Sequence, residues 1–304
     1  MPGRHRARAL AALTGLVAAT ALTACGGAPA PETDPAVSAV TADPALHDRL
    51  PERIKTSGKI VFAIQQHPPY TVLTGDQGSG PNEDLQNAIA AKLGVEAETA
   101  VVGGGLGPVL TGLSANRYDA AMGPVEVTEE RGAQYDLVGY LKAGQGYVVD
   151  KAKTPGSDIL ALCGQPVSFI QGGTIEGFVA NLAEYCTANG KQPVTPLPLA
   201  DTSKAILAVK SGRAVAAGMG SAAAQYTVTQ DDSLNMIPQS VEAGGNYHNS
   251  AIVLPKDSGL APLVVEALKD LMDDGTYKDI ITKYGLGDSM VDEPTLNPPP
   301  EAEA

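Results

Sequence analysis

The sequence predicts an α/β protein with mostly parallel sheets, because short strand-like and helix-like segments alternate along the chain. Residues 59–64 form a short apolar run, which is typical of a buried strand. Leu85, Ile89 and Leu93 then recur four residues apart, which predicts the buried face of a helix that ends at the next glycine. The same order of elements returns from residue 166 onward. Such repetition favours helices packed against parallel strands.

The other segments follow the same pattern. In the first half, residues 95–102 predict a strand, residues 109–115 a helix, and residues 118–122 a strand that leads into a loop. In the second half, the predicted strands are residues 166–170 and 214–219, and the predicted helices are residues 174–187, 202–211, 261–273 and 276–283. Ligands of open α/β sheets bind at the carboxyl ends of the strands. We therefore expect the functional residues in the loops that follow strands.

The first 25 residues have the pattern of an export signal. Arg4, Arg6 and Arg8 form a basic head, residues 9–21 are apolar, and small residues lead to Cys25. This apolar run is too short for a stable membrane span. The arrangement resembles the lipobox of bacterial lipoproteins, which implies that the signal peptide (1–24) is removed and that Cys25 is acylated, for example with palmitate. The alternative is an ordinary signal peptide that a cysteine follows by chance.

Both ends of the remaining chain have the composition of disordered segments. Residues 25–45 are rich in Pro, Ala and acidic residues without apolar periodicity, which predicts a flexible leash between lipid and domain. Residues 288–304 have the same character and predict a disordered tail. The lipoprotein resemblance therefore implies a protein held at the extracytoplasmic face of the cell membrane by its lipid alone.

The charge of the chain argues against nucleic acid or an anionic lipid surface as partner. The full chain has 21 Lys and Arg against 34 Asp and Glu, a net charge of −13. Removing residues 1–24 takes away three arginines and no acid, so the charge becomes 18 − 34 = −16. No run rich in Lys or Arg offers a basic patch. The acidity itself is also consistent with solubility alone.

Cys163 and Cys186 remain once Cys25 is assigned to the lipid. Outside the cytoplasm such a pair tends to oxidise, so we expect a structural disulfide. Closing a loop of this length would stabilise the fold by roughly 3 kcal/mol. Two cysteines without a nearby histidine provide too few ligands for zinc. The sequence therefore predicts no metal site and no cofactor.

Several short motifs follow one another along the chain: residues 50–60 (LPERIKTSGKI), 82–85 (NEDL), 90–94 (AAKLG), 113–121 (LSANRYDAA), 127–131 (VTEER), 163–174 (CGQPVSFIQGGT), 207–213 (LAVKSGR) and 274–277 (DGTY). In this order they resemble the extracellular solute-binding proteins of amino-acid-type ABC importers (bacterial solute-binding protein family 3). Residues 113–121 are similar to the family pattern L-x-x-G-x-Y-D-A, and residues 127–131 to I-T-x-E-R. The resemblance covers about residues 46–287.

The resemblance implies the type II two-lobed fold of periplasmic binding proteins, with two α/β lobes joined by two crossover strands. Lobe one would comprise residues 46–146 and 250–287, and lobe two residues 150–247. The crossovers would be residues 144–151 and 246–256. Such a protein is expected to be a monomer that captures a small polar or zwitterionic solute between its lobes and delivers it to ABC permease subunits.

Arg131 and Thr174 are the first candidate ligand-binding residues. The planar guanidinium of Arg131 can bind a carboxylate with two hydrogen bonds, and by resemblance this position binds the α-carboxylate of an amino acid. Gly173 and Thr174 lie between a predicted strand and a helix start, where free backbone N–H groups bind anions. The alternatives are a surface Arg131 paired with Glu129 or Glu130 and an ordinary Thr174 N-cap.

Two departures from the family pattern concern the ammonium group of the ligand. Pro124 and Glu126 occupy positions where relatives have small hydroxyl residues, and Gly220 replaces an acidic residue that binds the ammonium. One acid is therefore absent and another is present nearby. We expect Glu126 to take over the ammonium contact. The alternative is a Glu126 that faces solvent or pairs with Arg131.

His67 and Asn82 complete the predicted site. His67 stands in the sequence His-Pro-Pro-Tyr, which resembles a Y-P-P-F element whose first aromatic residue stacks on the ligand. A neutral histidine can stack or hydrogen-bond, although a structural loop histidine is an equal alternative. Asn82 is a polar candidate for the binding surface, as are Gln65, Gln66, Tyr140 and Tyr247.

The leading function is therefore binding without catalysis. An enzyme on the same fold, similar to the related dehydratases, would need an acid and a base, for which Glu126 and His67 are the candidate pair. A sensory subunit that binds the same ligand is the other alternative. The sequence contains no G-x-S-x-G or P-loop motif, and the glycine-rich residues 103–105 lack the order of a dinucleotide-binding turn.

Overall fold

The structure is a computed structural model that describes residues 37, 39–154, 156–172 and 174–301. The predicted signal peptide, Cys25, the leash up to residue 36, and Gly173 lie outside the described residues. All described residues belong to one compact unit, Thr33–Ala304. Among them, no helix is both long and apolar enough to cross a membrane.

The described α-helices are distributed along the chain from residue 44 to residue 283. They are α1 (Pro44–Asp48), α2 (Glu52–Ser57), α3 (Pro81–Lys92), α4 (Leu106–Ser114), α5 (Glu129–Gln134), α6 (Ile175–Ala188), α7 (Thr202–Lys210), α8 (Ser221–Thr229), α9 (Ala261–Asp273) and α10 (Thr276–Lys283). Short 3-10 helices occur at Ile159–Leu162 and Gly287–Ser289.

The described strands form two large sheets and one hairpin. They are β1 (Lys59–Ile64), β2 (Val72–Thr74), β3 (Gln77–Ser79), β4 (Glu96–Val101), β5 (Ala120–Glu126), β6 (Tyr135–Ala143), β7 (Gln145–Asp150), β8 (Pro166–Ile170), β9 (Thr195–Leu199), β10 (Ala216–Gly220), β11 (Leu234–Pro238), β12 (His248–Pro255) and β13 (Met290–Leu296).

Each large sheet is the centre of one lobe. The lobe-one sheet has the order β13-β6-β12-β5-β1-β4, and the lobe-two sheet has the order β11-β7-β10-β8-β9. Strands β4, β1 and β5 are mutually parallel, as are β10, β8 and β9. Strands β12, β6, β13, β7 and β11 pair antiparallel with their neighbours. The sheets are mixed and not mostly parallel, because the crossing strands return in the opposite direction.

The chain passes between the lobes twice. The first crossover is Gly144, where β6 of one sheet continues into β7 of the other. The second crossover, residues 239–247, joins β11 to β12. The chain therefore leaves lobe one at Gly144, before the expected boundary at 146–150, which lies within β7. Most of the expected second crossover, 246–256, belongs to β12.

Apolar clusters of buried side chains fill both lobes. In lobe one, Phe62 and Ile60 of β1 are fully buried against α3 and α9 residues such as Leu85 and Leu268. In lobe two, Phe169 of β8 packs in a cluster with Leu182 of α6. Complete burial of one such side chain contributes about 1.5–3 kcal/mol.

The disulfide predicted in lobe two is present. Cys163 follows the 3-10 helix Ile159–Leu162, Cys186 lies in the last turn of α6, and their Cα atoms are 5.6 Å apart. Because both cysteines belong to lobe two, the bond leaves the crossovers unconstrained.

The prediction of a disordered tail at 288–304 is wrong for its described part. Strand β13 pairs with β6, and the Asn297 side chain accepts a hydrogen bond from the backbone N–H of Leu137 at 2.9 Å. Pro294 and Pro298 are buried. An edge strand tolerates prolines, because one side of its backbone needs no ladder partner, so a Pro-rich composition resembles disorder without causing it.

The C-terminal end of the predicted leash is also ordered. Val37 is buried against the lobe-one core, and the side chain of Asp43 caps α1 by accepting a hydrogen bond from the N–H of Ala45 at 2.7 Å. Asp is a favoured N-cap residue. The expected flexibility therefore does not extend to residues 43–45.

Glu83, in the first turn of α3, is a buried acid of lobe one. It is 5% exposed, and neither carboxylate oxygen has a hydrogen bond of acceptable geometry to any described residue. Burial raises the pKa of Glu83 to about 7, although the nearby Thr71 hydroxyl opposes the shift slightly. The carboxyl therefore keeps its proton in the folded state at pH values where the unfolded chain is ionised.

We predict that Glu83→Gln changes the pH dependence of stability. The unfolded carboxyl loses its proton near pH 4.5 and the folded one near pH 7, so ionisation favours the unfolded chain across this interval. Denaturation at pH 4 and pH 8 should show the free energy of unfolding of Glu83→Gln rising by about 3 kcal/mol relative to the unmodified protein. The exposed Glu184→Gln is the matched control and should show no such rise. A difference for Glu83→Gln that stays constant with pH contradicts the assignment.

Candidate functional site

A cavity of about 240 Å³ lies between the lobes, and we call it the interlobe cavity. Its lining comes from the loop before β2, the end of β5, the first crossover, the start of α6, the start of α8 and the start of β12. The lining residues are His67, Pro68, Pro69, Tyr70, Pro124, Ala143, Gly144, Gln145, Thr174, Ile175, Gly220, Ser221, Ala222, Ala223 and His248. The cavity is thus formed at strand ends, as the α/β pattern predicts.

A second cavity, of about 570 Å³, adjoins the first on lobe one, and we call it the Arg131 cavity. His67 and Pro124 line both cavities. Of these two cavities, Glu126 and Arg131 line the second, together with the glycine-rich loop at residues 103–105. Gln65 holds this loop, because its side-chain amide donates to the carbonyls of Val102 and Gly105 at 3.1 and 2.7 Å.

Arg131 is positioned by the first turn of α5. The Thr128 side chain caps this helix and accepts a hydrogen bond from the Arg131 backbone N–H at 3.2 Å. The guanidinium donates through Nη1 to the backbone carbonyl of Glu126. In the described part of the chain, no carboxylate lies within 4.0 Å of this guanidinium, so the structure does not show the predicted alternative of pairing with Glu129 or Glu130. The half-buried Arg131 therefore has donors available for an anion.

Thr174 begins α6 on the lobe-two side of the interlobe cavity. Its side chain is exposed and makes no capping hydrogen bond to the helix, so its hydroxyl is available for other contacts. Thr174 and Arg131 line different cavities, which adjoin at His67 and Pro124. The structure therefore brings Thr174 together with Gly220, and Arg131 together with Glu126.

Glu126 and His67 are both accessible from the cavities. Glu126 is the exposed last residue of β5, opposite Ser250 of β12. Burial lowers the pKa of the nearby His248, and the negative charge of Glu126 opposes that shift. Burial also lowers the pKa of His67, whose ring lies 5.9 Å from that of Tyr70. Both imidazoles are therefore neutral at pH 7.

Gly220 ends β10 and caps α8 at the interlobe cavity. Its φ of −58° and ψ of 144° are accessible to any residue, and a Cβ built there would meet no atom within 4 Å. Packing therefore does not require glycine at this position. A lack of space therefore does not explain the missing acid.

Asn82 is not a ligand-binding residue in this structure. It is fully buried in α3, where its Nδ2 donates to Thr71 Oγ1 at 3.2 Å and its Oδ1 accepts from the Tyr140 hydroxyl at 2.8 Å. The Tyr140 hydroxyl also contacts the carbonyl of Gly123 at 3.1 Å. Asn82 therefore supports the segment before β2 from the core side and does not line either cavity. Tyr140 is buried in the same way and does not line them either.

The sequence prediction missed Gln145, Ser221 and His248, which line the interlobe cavity. The Gln145 side chain accepts from the Asn246 N–H at 3.0 Å, and Ser221 Oγ accepts from the Gly144 N–H at 3.0 Å. None of these residues belongs to a recognisable motif. Their signal in the sequence is only their position beside the two crossovers.

Residues 60–287 match the family model described as bacterial extracellular solute-binding proteins, family 3. The chain belongs to this family. The proteins that it resembles are solute-binding proteins, so the family supports binding and not the dehydratase alternative. The family relationship makes the protein an extracellular solute-binding protein, and the solved structures that it resembles share its type II two-lobed fold.

Three relatives illustrate the similarity. The arginine-binding protein ArgT of Corynebacterium glutamicum is 25% identical over 264 residues, which cover 84% of each chain. A polar amino acid ABC uptake transporter substrate binding protein from Streptococcus thermophilus superposes with a TM-score of 0.67 at 19% identity, covering 79% of this chain and 91% of that one. The unliganded open L-cystine solute receptor of Neisseria gonorrhoeae gives 0.63 at 20% identity, covering 79% and 98%.

We predict that Asn82→Ala destabilises the protein by about 1–3 kcal/mol, because the truncation leaves the buried Thr71 and Tyr140 hydroxyls with fewer partners. Chemical denaturation measures this loss. The exposed Asn189→Ala, which removes one hydrogen bond to the Tyr185 carbonyl at the end of α6, is the control and should cost less. Equal stability of Asn82→Ala and the unmodified protein would show that the buried network is unimportant.

Proposed function

We propose that this protein captures an amino acid, or an amino-acid-like solute, between its lobes and delivers it to an ABC permease. The observation that carries the proposal is the Arg131 guanidinium, which lines a cavity adjoining the cleft and has no carboxylate partner among the described residues. An unpaired, half-buried guanidinium favours an anionic ligand group. The similarity to a protein named for arginine binding supports the amino-acid class.

Arg131 would bind the α-carboxylate. In the closed form, the Thr174 hydroxyl and the free N–H groups at the start of α6 would approach the same carboxylate from lobe two. Closing of the lobes removes water from these contacts and strengthens them. The adjoining positions of the two cavities support this arrangement, because His67 and Pro124 line both.

Glu126 would bind the ammonium group of the ligand. It lines the same cavity as Arg131, so a carboxylate and a guanidinium are available together for the two charges of a zwitterion. Gly220 provides no acid on the opposite lobe. His67, which lies where the cavities meet, would contact the ligand between its charged head and its side chain.

The setting of this function follows from the N-terminal sequence. Lipid on Cys25 would tether the protein at the extracytoplasmic face of the cell membrane, and residues after it would serve as a leash between the lipid and the domain. The protein would act as a monomer without metal or cofactor. The disulfide of lobe two suits an oxidising compartment.

The first prediction from this proposal concerns the carboxylate contact. Arg131→Gln should weaken binding of the best amino-acid ligand roughly 100-fold, because it removes a charged hydrogen-bonding partner from a partly buried site. Isothermal titration calorimetry measures the change. Arg117→Gln removes an exposed arginine outside both cavities and should leave affinity unaltered. Unchanged affinity of Arg131→Gln would refute the role of Arg131.

The second prediction separates the ammonium contact from the carboxylate contact. Glu126→Gln should weaken binding of the amino acid about 10-fold or more, because the ammonium loses its charged partner. Binding of the des-amino analogue of the same ligand should be weak in the unmodified protein and should not fall further in the variant. If Glu126→Gln weakens both ligands equally, Glu126 acts on the fold and not on the ammonium.

A further inference from the structure

The carboxyl group of Glu83 lies beneath the hairpin of β2 and β3, which continues the segment before β2 (residues 67–71). A Cβ added at Gly78 would lie 2.8 Å from Oε1 of Glu83, and one added at Gly80 would lie 3.2 Å from Oε2. Residues 67–70 of the segment line the interlobe cavity. The hairpin and this segment therefore connect a buried carboxyl group to the lining of the ligand site.

The described surroundings of Glu83 contain no group placed to stabilise a negative charge. Its side chain is buried, and neither oxygen has a hydrogen bond of acceptable geometry to any described residue. The ionisable groups that act on it electrostatically are Asp84 of its own helix and Tyr140 of β6. Asp84 opposes a second negative charge, and its own carboxylate accepts a hydrogen bond from Lys283 of α10 at 2.9 Å.

The other elements packed against α3 face this carboxyl group with neutral side chains or carry charges that are paired elsewhere. Ile64 of β1 reaches the same point beneath Gly78, since its Cδ1 would lie 2.6 Å from the added Cβ. The Thr71 hydroxyl is the nearby polar group. The charges that β1, β4 and α9 present along α3 form ion pairs, Lys59 with Glu98 and Lys92 with Asp270.

Ionisation of Glu83 acts on the hairpin more readily than on the helix. Burial raises the pKa of Glu83 to about 7, and above that pH the carboxylate needs water or a donor. Helix α3 is held by Leu85 and Ile89, which are fully buried in the lobe-one core. Strands β2 and β3 instead pair with each other in a separate two-stranded sheet, and their residues are exposed or half-buried. Such a hairpin is held weakly by its own strands.

We infer that Glu83 is a positioning residue for the ligand site: its neutral form keeps the hairpin and residues 67–71 in the arrangement that lines the interlobe cavity, and its ionised form displaces them. The inference rests on the proposed function, in which His67 contacts the ligand. A ligand that needs this arrangement binds the protonated protein better, so binding takes up a proton. Affinity is therefore highest while Glu83 is protonated and falls as the pH rises through about 7.

The other ionisable groups of the cavity do not titrate in this pH interval. Burial lowers the pKa of His67 and His248, so both imidazoles are already neutral at pH 7. Burial raises the pKa of Tyr70 and Tyr140 above the ordinary value, so both phenols keep their protons. A change of affinity between pH 6.5 and pH 8.5 that depends on Glu83 is therefore separable from the histidines.

Calorimetric titration at pH 6.5, 7.5 and 8.5 tests the inference, with the amino acid that binds most tightly in a thermal-shift panel as the probe. The affinity of the unmodified protein should fall about 10-fold between pH 6.5 and pH 8.5, because one proton is linked to binding. At pH 7.5, titrations in two buffers of different ionisation enthalpy should show uptake of a fraction of a proton.

Two neutral variants identify the group that titrates. Glu83→Gln keeps the shape of the protonated side chain, so its affinity should match the unmodified protein at pH 6.5 and should not fall with it. Glu83→Met, which is uncharged and of similar length, should also lose the pH dependence if the amide packs poorly. Titration of the ligand's own amino group affects every variant equally. The exposed Glu184→Gln is the control and should keep the pH dependence of the unmodified protein.

The outcomes separate this inference from the proposed function. If the unmodified protein, Glu83→Gln and Glu83→Met share one pH dependence, or if affinity does not change with pH, Glu83 does not position the site. The proposed function then still stands, provided that Arg131→Gln weakens binding. If no amino acid binds at any of the three pH values, the proposed function fails and the inference fails with it.

Discussion

The close approach of the two crossovers at Gly144 determines where the cleft can form. A Cβ at Gly144 would lie 2.7 Å from Cε1 of Tyr247 in the second crossover, so a larger residue would require the Tyr247 ring to move. The backbone of Gly144 also bonds twice to Ser221 at the start of α8, through the Ser221 hydroxyl at 3.0 Å and the Ser221 N–H at 2.8 Å. Because α8, both crossovers and the cavity lining meet here, a change in lobe orientation must act through backbone angles on either side of this point.

This geometry separates the charges of the site from its neutral surfaces. Strand β5 and helix α5 carry Glu126 and Arg131 at the edge of lobe one, whereas residues around the crossovers supply amides, hydroxyls and imidazoles. Charge placed at the crossovers would be desolvated whenever the lobes closed, and charge at the lobe edge is desolvated only when the ligand covers it. The described lining of the interlobe cavity accordingly has no Asp, Glu, Lys or Arg, although it adjoins the charged Arg131 cavity.

The sequence predicts the parts of this arrangement that local patterns specify. The periodicity of α3, the short apolar strands and the disulfide are visible in it, and so is the placement of Glu126, Arg131 and Gly220 at or just after strand ends. It does not predict that Asn82 is buried, since the partners of its amide, Thr71 and Tyr140, are brought together only by the fold. The polar, Pro-rich tail likewise resembles disorder until β6 offers it an edge. Gln145 and His248 become cavity residues only through the crossovers, which no local motif marks.

Buried, hydrogen-bonded side chains support the segment before β2. They define the position of this segment more closely than apolar contacts alone would. Asn82 links Thr71 to Tyr140, and Tyr277 donates to the Tyr140 carbonyl at 2.8 Å, so the segment has one favoured position. Glu83 lies beside this network without a hydrogen bond of its own, and its burial favours the neutral acid. Lobe one thus accepts the energetic cost of a buried carboxyl group directly beside this hydrogen-bonded network.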